Sequence, residues 1–129
     1  MTQFNYRRFF RSFYYASRGL IRLIETEQNA RVHLIAAILL GILSIAFHLS
    51  HLEVAVLFFA VVLVFAIEIT NTAIEKLLDL VHPESHAQIT FVKDALAGAV
   101  LIAAFIAAVV GFLVFYPHIK EALLVRHLF

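Results

Sequence analysis

Residues 54–80 read VAVLFFAVVLVFAIEITNTAIEKLLDL. The first part, 54–67, is uninterrupted and apolar, and the helix pattern then runs on through Glu68, Asn71, Glu75 and Asp79. At about 100° per residue these four side chains fall within roughly 80° of arc on a helix. One face thus carries three carboxylates and an amide, while Ile67, Ile69, Ile74, Leu77 and Leu78 stay apolar. Ionisable groups at membrane depth are costly and face a protein interior or a functional site. The pattern predicts a membrane-spanning helix that carries chemistry or binds a cation.

The rest of the chain supports a membrane setting. It has 129 residues, of which 63% are hydrophobic and 15% charged, with a mean hydropathy of +0.93. A soluble domain of this length cannot hide that much apolar surface. The expectation is one integral membrane domain over residues 1–129, without linker, repeat or low-complexity segment. Cysteine is absent, which excludes disulfides, thiolate metal sites and cysteine nucleophiles. Tryptophan is absent too, so Phe4, Phe9, Phe10, Tyr14, Phe115 and Tyr116 supply the interfacial aromatics.

Two further spans are predicted, at residues 32–49 and 95–115, beside the one at 54–80. Residues 4–24 are amphipathic. Arg8, Arg11, Tyr15, Arg18 and Arg22 lie on one face and Phe9, Phe10, Phe13, Leu20 and Ile24 on the other, as in a helix lying in the headgroup layer. This arginine-rich segment has no clean apolar core or cleavage site and does not read as a cleavable signal peptide. The expected fold is all-α, with three transmembrane helices behind an N-terminal surface helix. A short tail, 117–129, follows Pro117 and carries no functional reading.

With the N-terminus cytoplasmic, Arg7, Arg8, Arg11, Arg18, Arg22, Arg31, Lys76 and Lys93 lie on that side and only Lys120 and Arg126 on the other. This bias predicts the orientation and puts the carboxylates at the cytoplasmic end of the second span. Glu68 then lies ~22 Å along the helix from Glu53, and Glu75 ~33 Å. Against a hydrocarbon thickness of ~30 Å, Glu75 reaches the interface and Glu68 lies one to two turns deeper. That geometry suits a reaction between a water-soluble molecule and a lipid headgroup.

Four short motifs line up with this reading: Ser17-Arg18-Gly19-Leu20; Glu27-Gln28-Asn29-Ala30-Arg31-Val32-His33; Glu68-Ile69-Thr70-Asn71-Thr72-Ala73-Ile74-Glu75 with Asp79; and Lys93-Asp94 followed by Ala97-Gly98-Ala99-Val100-Leu101. Together they resemble the prokaryotic diacylglycerol kinase family, including its undecaprenol kinase branch. The resemblance runs from Arg8 to about Gly111, and its specific part is the E-x-x-N-[ST]-A-I-E core. It implies a homotrimer of three-span subunits in the bacterial inner (plasma) membrane, with the active site cytoplasmic. The implied reaction moves the γ-phosphoryl of MgATP to the hydroxyl of a membrane lipid. By the same resemblance Glu68 is the catalytic base, Glu27 and Glu75 hold the divalent cation and meet the nucleotide, Lys93 and Asp94 contact the nucleotide, and Asn71 and Ser17 support the site. Arg8, Tyr15, Glu84 and His86 stand where the family has further nucleotide contacts. Arg31-Val32-His33 and Ala97–Leu101 look more like the undecaprenol branch than the diacylglycerol branch.

The chemistry of the residues is compatible with that assignment. Phosphoryl transfer needs positioning and charge neutralisation, and two carboxylates suit Mg²⁺, a hard ion that prefers oxygen ligands. Lysine and arginine offset triphosphate charge, and a carboxylate at depth can take the proton of a lipid hydroxyl. Neither G-x-x-x-x-G-K-[ST] nor G-x-G-x-x-G occurs in the sequence, so an ATP site here differs from the usual soluble ones. No nucleic-acid partner is expected.

Other readings stay open from the residues alone. Glu68 on a spanning helix also suits an oligomeric cation carrier, although a carrier places its key charge nearer the midplane. A non-catalytic assembly subunit leaves the carboxylate face unexplained. Asp94 can instead cap a helix start. The seven histidines form no H-x-x-x-H pair on one helix and read as interfacial polar residues. Gly98 and the alanines of the third span suit close helix packing.

Overall fold

The computed structural model describes residues 5–84 and 86–126. Phe4 and the last three residues of the tail, 127–129, lie outside them. The described residues form four helices: α1 (Tyr6–Thr26), α2 (Gln28–Ala46), α3 (His51–Val81) and α4 (Ala87–Arg126). Three of them, over Gln28–Ala46, His51–Val81 and Ala87–Leu124, are long and apolar enough to cross a membrane. The chain is an all-α membrane protein.

Local chemistry sets the helix ends. Asn5 caps α1, its side chain accepting a 3.1 Å hydrogen bond from the Arg8 amide. The break between α1 and α2 is a single extended residue, Glu27 (φ −104°, ψ 123°), so the surface helix turns into the first span with its carboxylate at the corner. α2 ends in paired hydrogen bonds from His48 N to Ile45 O (3.1 Å) and Leu49 N to Ser44 O (3.0 Å). This is a Schellman closure, with His48 in the left-handed region at φ 52° where glycine is usual. Ser50 and Glu53 then form a reciprocal capping box at the start of α3.

α3 has 31 residues, or ~46 Å of helix, more than the ~30 Å of hydrocarbon. The surplus carries the carboxylate segment beyond the apolar run. α4 starts at Ala87, eight residues before the apolar window, and continues through Pro117 to Arg126. The tail after Pro117 is therefore helical over its described part. A proline lacks an amide hydrogen, so the Leu113 carbonyl loses its usual donor while the helix goes on.

The main packing seam joins α3 to α4. Leu57, Val64, Glu68 and Thr72 are buried on α3, and Val100, Ala103 and Phe115 on α4. Both sets follow the spacing of a single helix face. α2 packs on α3 and α1 on α2, with Ala30 fully buried just past the Glu27 corner. Ile35, Ile38, Leu39, Ile42, Phe105 and Phe112 remain exposed on the spans, as a bilayer or a neighbouring copy requires.

Candidate active site

Glu68 is the centre of the candidate site. It is 2% exposed and is the largest fully buried side chain among the described residues. Its Oε2 is buried and has no hydrogen-bond partner among them. Such an atom costs about 1–3 kcal/mol, and native structures keep few of them. Glu68 borders a cavity of about 280 Å³ between α2, α3 and α4. Asn71 stands one turn further along α3, Asn29 and His33 face them from α2, and the small Ala97 and Ala104 of α4 leave the space open.

The other carboxylates gather beside this cavity. Glu27 and Glu75 are close enough for their charges to act on Glu68, as does His33. Glu27 is tied at 2.7 Å to Lys76 and accepts a 3.0 Å hydrogen bond from the Thr26 hydroxyl. The Lys76 hydrogen bond first, and Thr26 after it, hold the Glu27 carboxyl below its ordinary value. Across the α3–α4 seam, Lys93 pairs with Asp79 and also feels the charge of Glu75. Glu75 and Asp94 are exposed.

One chain therefore brings together Glu27, Glu68, Asn71, Glu75 and Lys93. Asp94 lies about two turns inside α4, so it is not the cap of that helix. Arg8 and Tyr15 line a shallow concavity of α1 with Arg11 and Ser12, and no residue of α3 or α4 borders it. Tyr15 accepts a hydrogen bond from Arg11 at 3.2 Å. Ser17 donates to the Phe13 carbonyl of its own helix, while Gly19 and Leu20 of the same motif border a gap between α1 and α3 that reaches Thr72 and Lys76. Glu84 lies in the α3–α4 connection. His86 acts at the start of α4, where its carbonyl receives the amides of Ile89 and Thr90 and its Nδ1 the amide of Gln88 at 3.3 Å.

Two participants escaped the sequence reading. Lys76 was counted only as a charge that fixes orientation, and His33 only as part of a motif and one of seven histidines. The available signal for His33 was its i, i+4 spacing from Asn29, which puts both on one face of a helix.

The donor set suits a hard divalent cation. It consists of carboxylate oxygens, and among the described residues no three His, Asp or Glu side chains form a cage by themselves. Mg²⁺ is commonly held by one or two carboxylates plus substrate phosphates, which Glu27 and Glu75 match.

Comparison with known proteins identifies the family. The family model for prokaryotic diacylglycerol kinase matches residues 14–115, a span that holds every candidate site residue read from the sequence except Arg8. An undecaprenol kinase of Bacillus subtilis (strain 168) is 38% identical over 110 residues, covering 85% of this chain and 89% of the relative. A diacylglycerol kinase of Synechocystis sp. (strain ATCC 27184 / PCC 6803 / Kazusa) is 37% identical over 101 residues, covering 78% of this chain and 58% of that relative. With a family match across the three spans and relatives at this identity, the chain belongs to the prokaryotic diacylglycerol kinase family.

Proposed function

We propose that this chain transfers the γ-phosphoryl of ATP, held as its Mg²⁺ complex, to the hydroxyl of a membrane lipid with Glu68 as the base. The observation that carries the reading is the buried, unpaired Glu68 oxygen on a cavity flanked by two further carboxylates. The lipid oxygen bonds to the γ-phosphorus as the bond from that phosphorus to the β,γ-bridging oxygen breaks. ADP leaves, and the hydroxyl proton passes to Glu68. Glu27 and Glu75 hold the divalent cation, which supplies charge neutralisation to the triphosphate. Lys93 and Asp94 contact the nucleotide, Asn71 braces the acceptor side, and Ser17 supports the surface helix beside the site.

Arg8, Tyr15, Glu84 and His86 complete the nucleotide shell. None of the four borders the Glu68 cavity, which fits a shell closed by a neighbouring copy in a homotrimer. The Lys/Arg bias supports a cytoplasmic carboxylate end in the bacterial plasma membrane, where ATP is available. Undecaprenol is the favoured acceptor over diacylglycerol. The support is the Arg31-Val32-His33 motif and the fuller coverage of the relative named for that lipid.

The test is phosphorylation of undecaprenol and diacylglycerol in parallel mixed micelles, with Glu68→Gln as control. Product that depends on Glu68 supports the reading, and the ratio of rates names the lipid. A Glu68→Gln variant as active as the parent would remove Glu68 as base.

A further inference from the structure

Asp79 belongs to the carboxylate face of α3, yet the reaction described above gives it no task. At about 100° per residue, Glu68, Glu75 and Asp79 fall within roughly 40° of arc, with Asp79 ~16 Å along the axis from Glu68. Asp79 does not border the Glu68 cavity. It stands near the end of α3, which closes at Val81. Its partner is Lys93, in the second turn of α4, whose ammonium donates to Asp79 Oδ1 across the α3–α4 seam.

Three observations bear on what this pair does. The Lys93 and Asp79 side chains are 31% and 59% exposed, so water screens their attraction and the pair adds little to stability. The seam itself is closed deeper in the bundle by Leu57, Val64, Val100 and Ala103. Neither side chain makes another hydrogen bond among the described residues, so each is the other's whole anchorage. The charge of Glu75 also acts on Lys93, which gives a Lys93 released from Asp79 a second carboxylate to move to. Lysine carries its charge on a flexible four-carbon stem, and a side chain fixed before its ligand arrives loses less freedom on binding.

We propose that Asp79 is a positioning residue that holds the Lys93 ammonium ready for the nucleotide phosphates and keeps it off Glu75. This rests on the reading of Lys93 as a nucleotide contact. Asp79 itself touches neither the nucleotide nor the cation, and it acts only through Lys93. A tie that merely fastens α4 to α3 predicts something different: a lower thermal midpoint, with nucleotide affinity left where it was. A direct role for the carboxylate at the cation predicts an effect that persists when Lys93 is gone.

The experiment is equilibrium binding of a non-hydrolysable ATP analogue with Mg²⁺, beside steady-state kinetics in mixed micelles with ATP varied and thermal midpoints. The variants are Asp79→Ala, Asp79→Glu, Lys93→Met and the double variant Asp79→Ala/Lys93→Met. Asp79→Ala is expected to weaken analogue binding and raise the KM for ATP by about three- to tenfold, with kcat within about twofold of the parent and the midpoint close to it. Asp79→Glu, which keeps a carboxylate, recovers most of that loss. In the Lys93→Met background Asp79→Ala has no further effect, because the two residues act as one unit. Parent-like binding by Asp79→Ala beside a weakened Lys93→Met overturns the positioning role and leaves Lys93 as a nucleotide contact. Losses that add in the double variant overturn it as well, since Asp79 then acts without Lys93. So does tighter binding by Asp79→Ala, which would make Asp79 a competitor of the phosphates for the lysine. A Lys93→Met variant that binds the analogue at parent strength removes the nucleotide contact and this role together.

Discussion

The two ends of the helical bundle are built on opposite terms. At the α2–α3 turn, polar groups satisfy one another: Ser50 and Glu53 cap reciprocally, and Glu53 Oε1 meets His118 Nε2 at 2.8 Å. Phe47 stacks edge-on to Phe115 (5.9 Å between centroids) and packs beside His118. At the carboxylate end the same helix, α3, presents a buried oxygen without a partner, exposed Glu75 and Asp79, and an open chamber. Apolar burial alone would favour closing both. Leaving one end unsatisfied costs stability, and a cation, a nucleotide and an alcohol can offset that cost. One end of α3 holds the bundle, and under the proposed function the other binds.

Replacing Glu68 should break this contrast most sharply. Glu68→Gln keeps the shape of the side chain and removes the proton acceptor, so lipid phosphorylation should fall by about 10²–10⁴-fold. The thermal midpoint in detergent should hold or rise, because a neutral amide is cheaper to bury than a carboxylate. A variant that loses turnover and unfolds several degrees early would make Glu68 a structural residue, and the two ends would no longer differ in kind.

Next in size is the divalent requirement. Glu75→Gln and Glu27→Gln each remove one oxygen donor, and a titration of activity against Mg²⁺ should show half-saturation moving up by about 10–100-fold. The maximal rate at saturating Mg²⁺ should recover in part. If half-saturation stays put while the rate falls, these carboxylates act on the nucleotide without the cation.

The opposite end should respond the other way. Ser50→Ala removes the acceptor of the Glu53 amide and should cost about 1 kcal/mol of stability, as loss of a helix cap does. His118→Ala should also lower the thermal midpoint, because it unties α4 from the start of α3. Turnover per folded molecule should match the parent for both. A fall in turnover without a fall in midpoint would mean that the far end communicates with the chamber.

Legibility in the sequence followed the same division. The long apolar runs of α2, α3 and α4 announce themselves, because a bilayer demands about 20 consecutive apolar residues. The Glu68–Asn71–Glu75 face was visible because those polar residues interrupt such a run at helical spacing. The amphipathic pattern likewise placed α1. The helix ends were harder. Gln88, Thr90, Lys93 and Asp94 lower the hydropathy without breaking a helix, so the apolar window opens later than α4 does. Pro117 looks like a stop, yet it removes only one hydrogen bond from a helix packed against α3. The pairings were hidden altogether: Lys76 meets Glu27, and Lys93 meets Asp79, across different helices. No periodicity within one helix encodes a partner on another. His33 was obscured for a related reason, since it borders a cavity that exists only once α2, α3 and α4 have packed.

The smallest expected effect concerns the Lys76–Glu27 pair, and it sharpens the comparison from inside the binding end. The two side chains are 61% and 27% exposed, so their attraction is worth about 0–1 kcal/mol. That is too little to hold the bundle together, but enough to compete with a cation for Glu27. Lys76→Met keeps the aliphatic stem and removes the competitor. Half-saturation by Mg²⁺ should then move down by about two- to fivefold, the equivalent of up to about 1 kcal/mol, with the thermal midpoint close to that of the parent. A rise in half-saturation would place Lys76 among the groups that neutralise the triphosphate, and the ion pair would be the resting position of a nucleotide-binding lysine. Either shift, with stability unmoved, separates this pair from the Ser50–Glu53–His118 cluster, where the loss should be in stability and the turnover should stay.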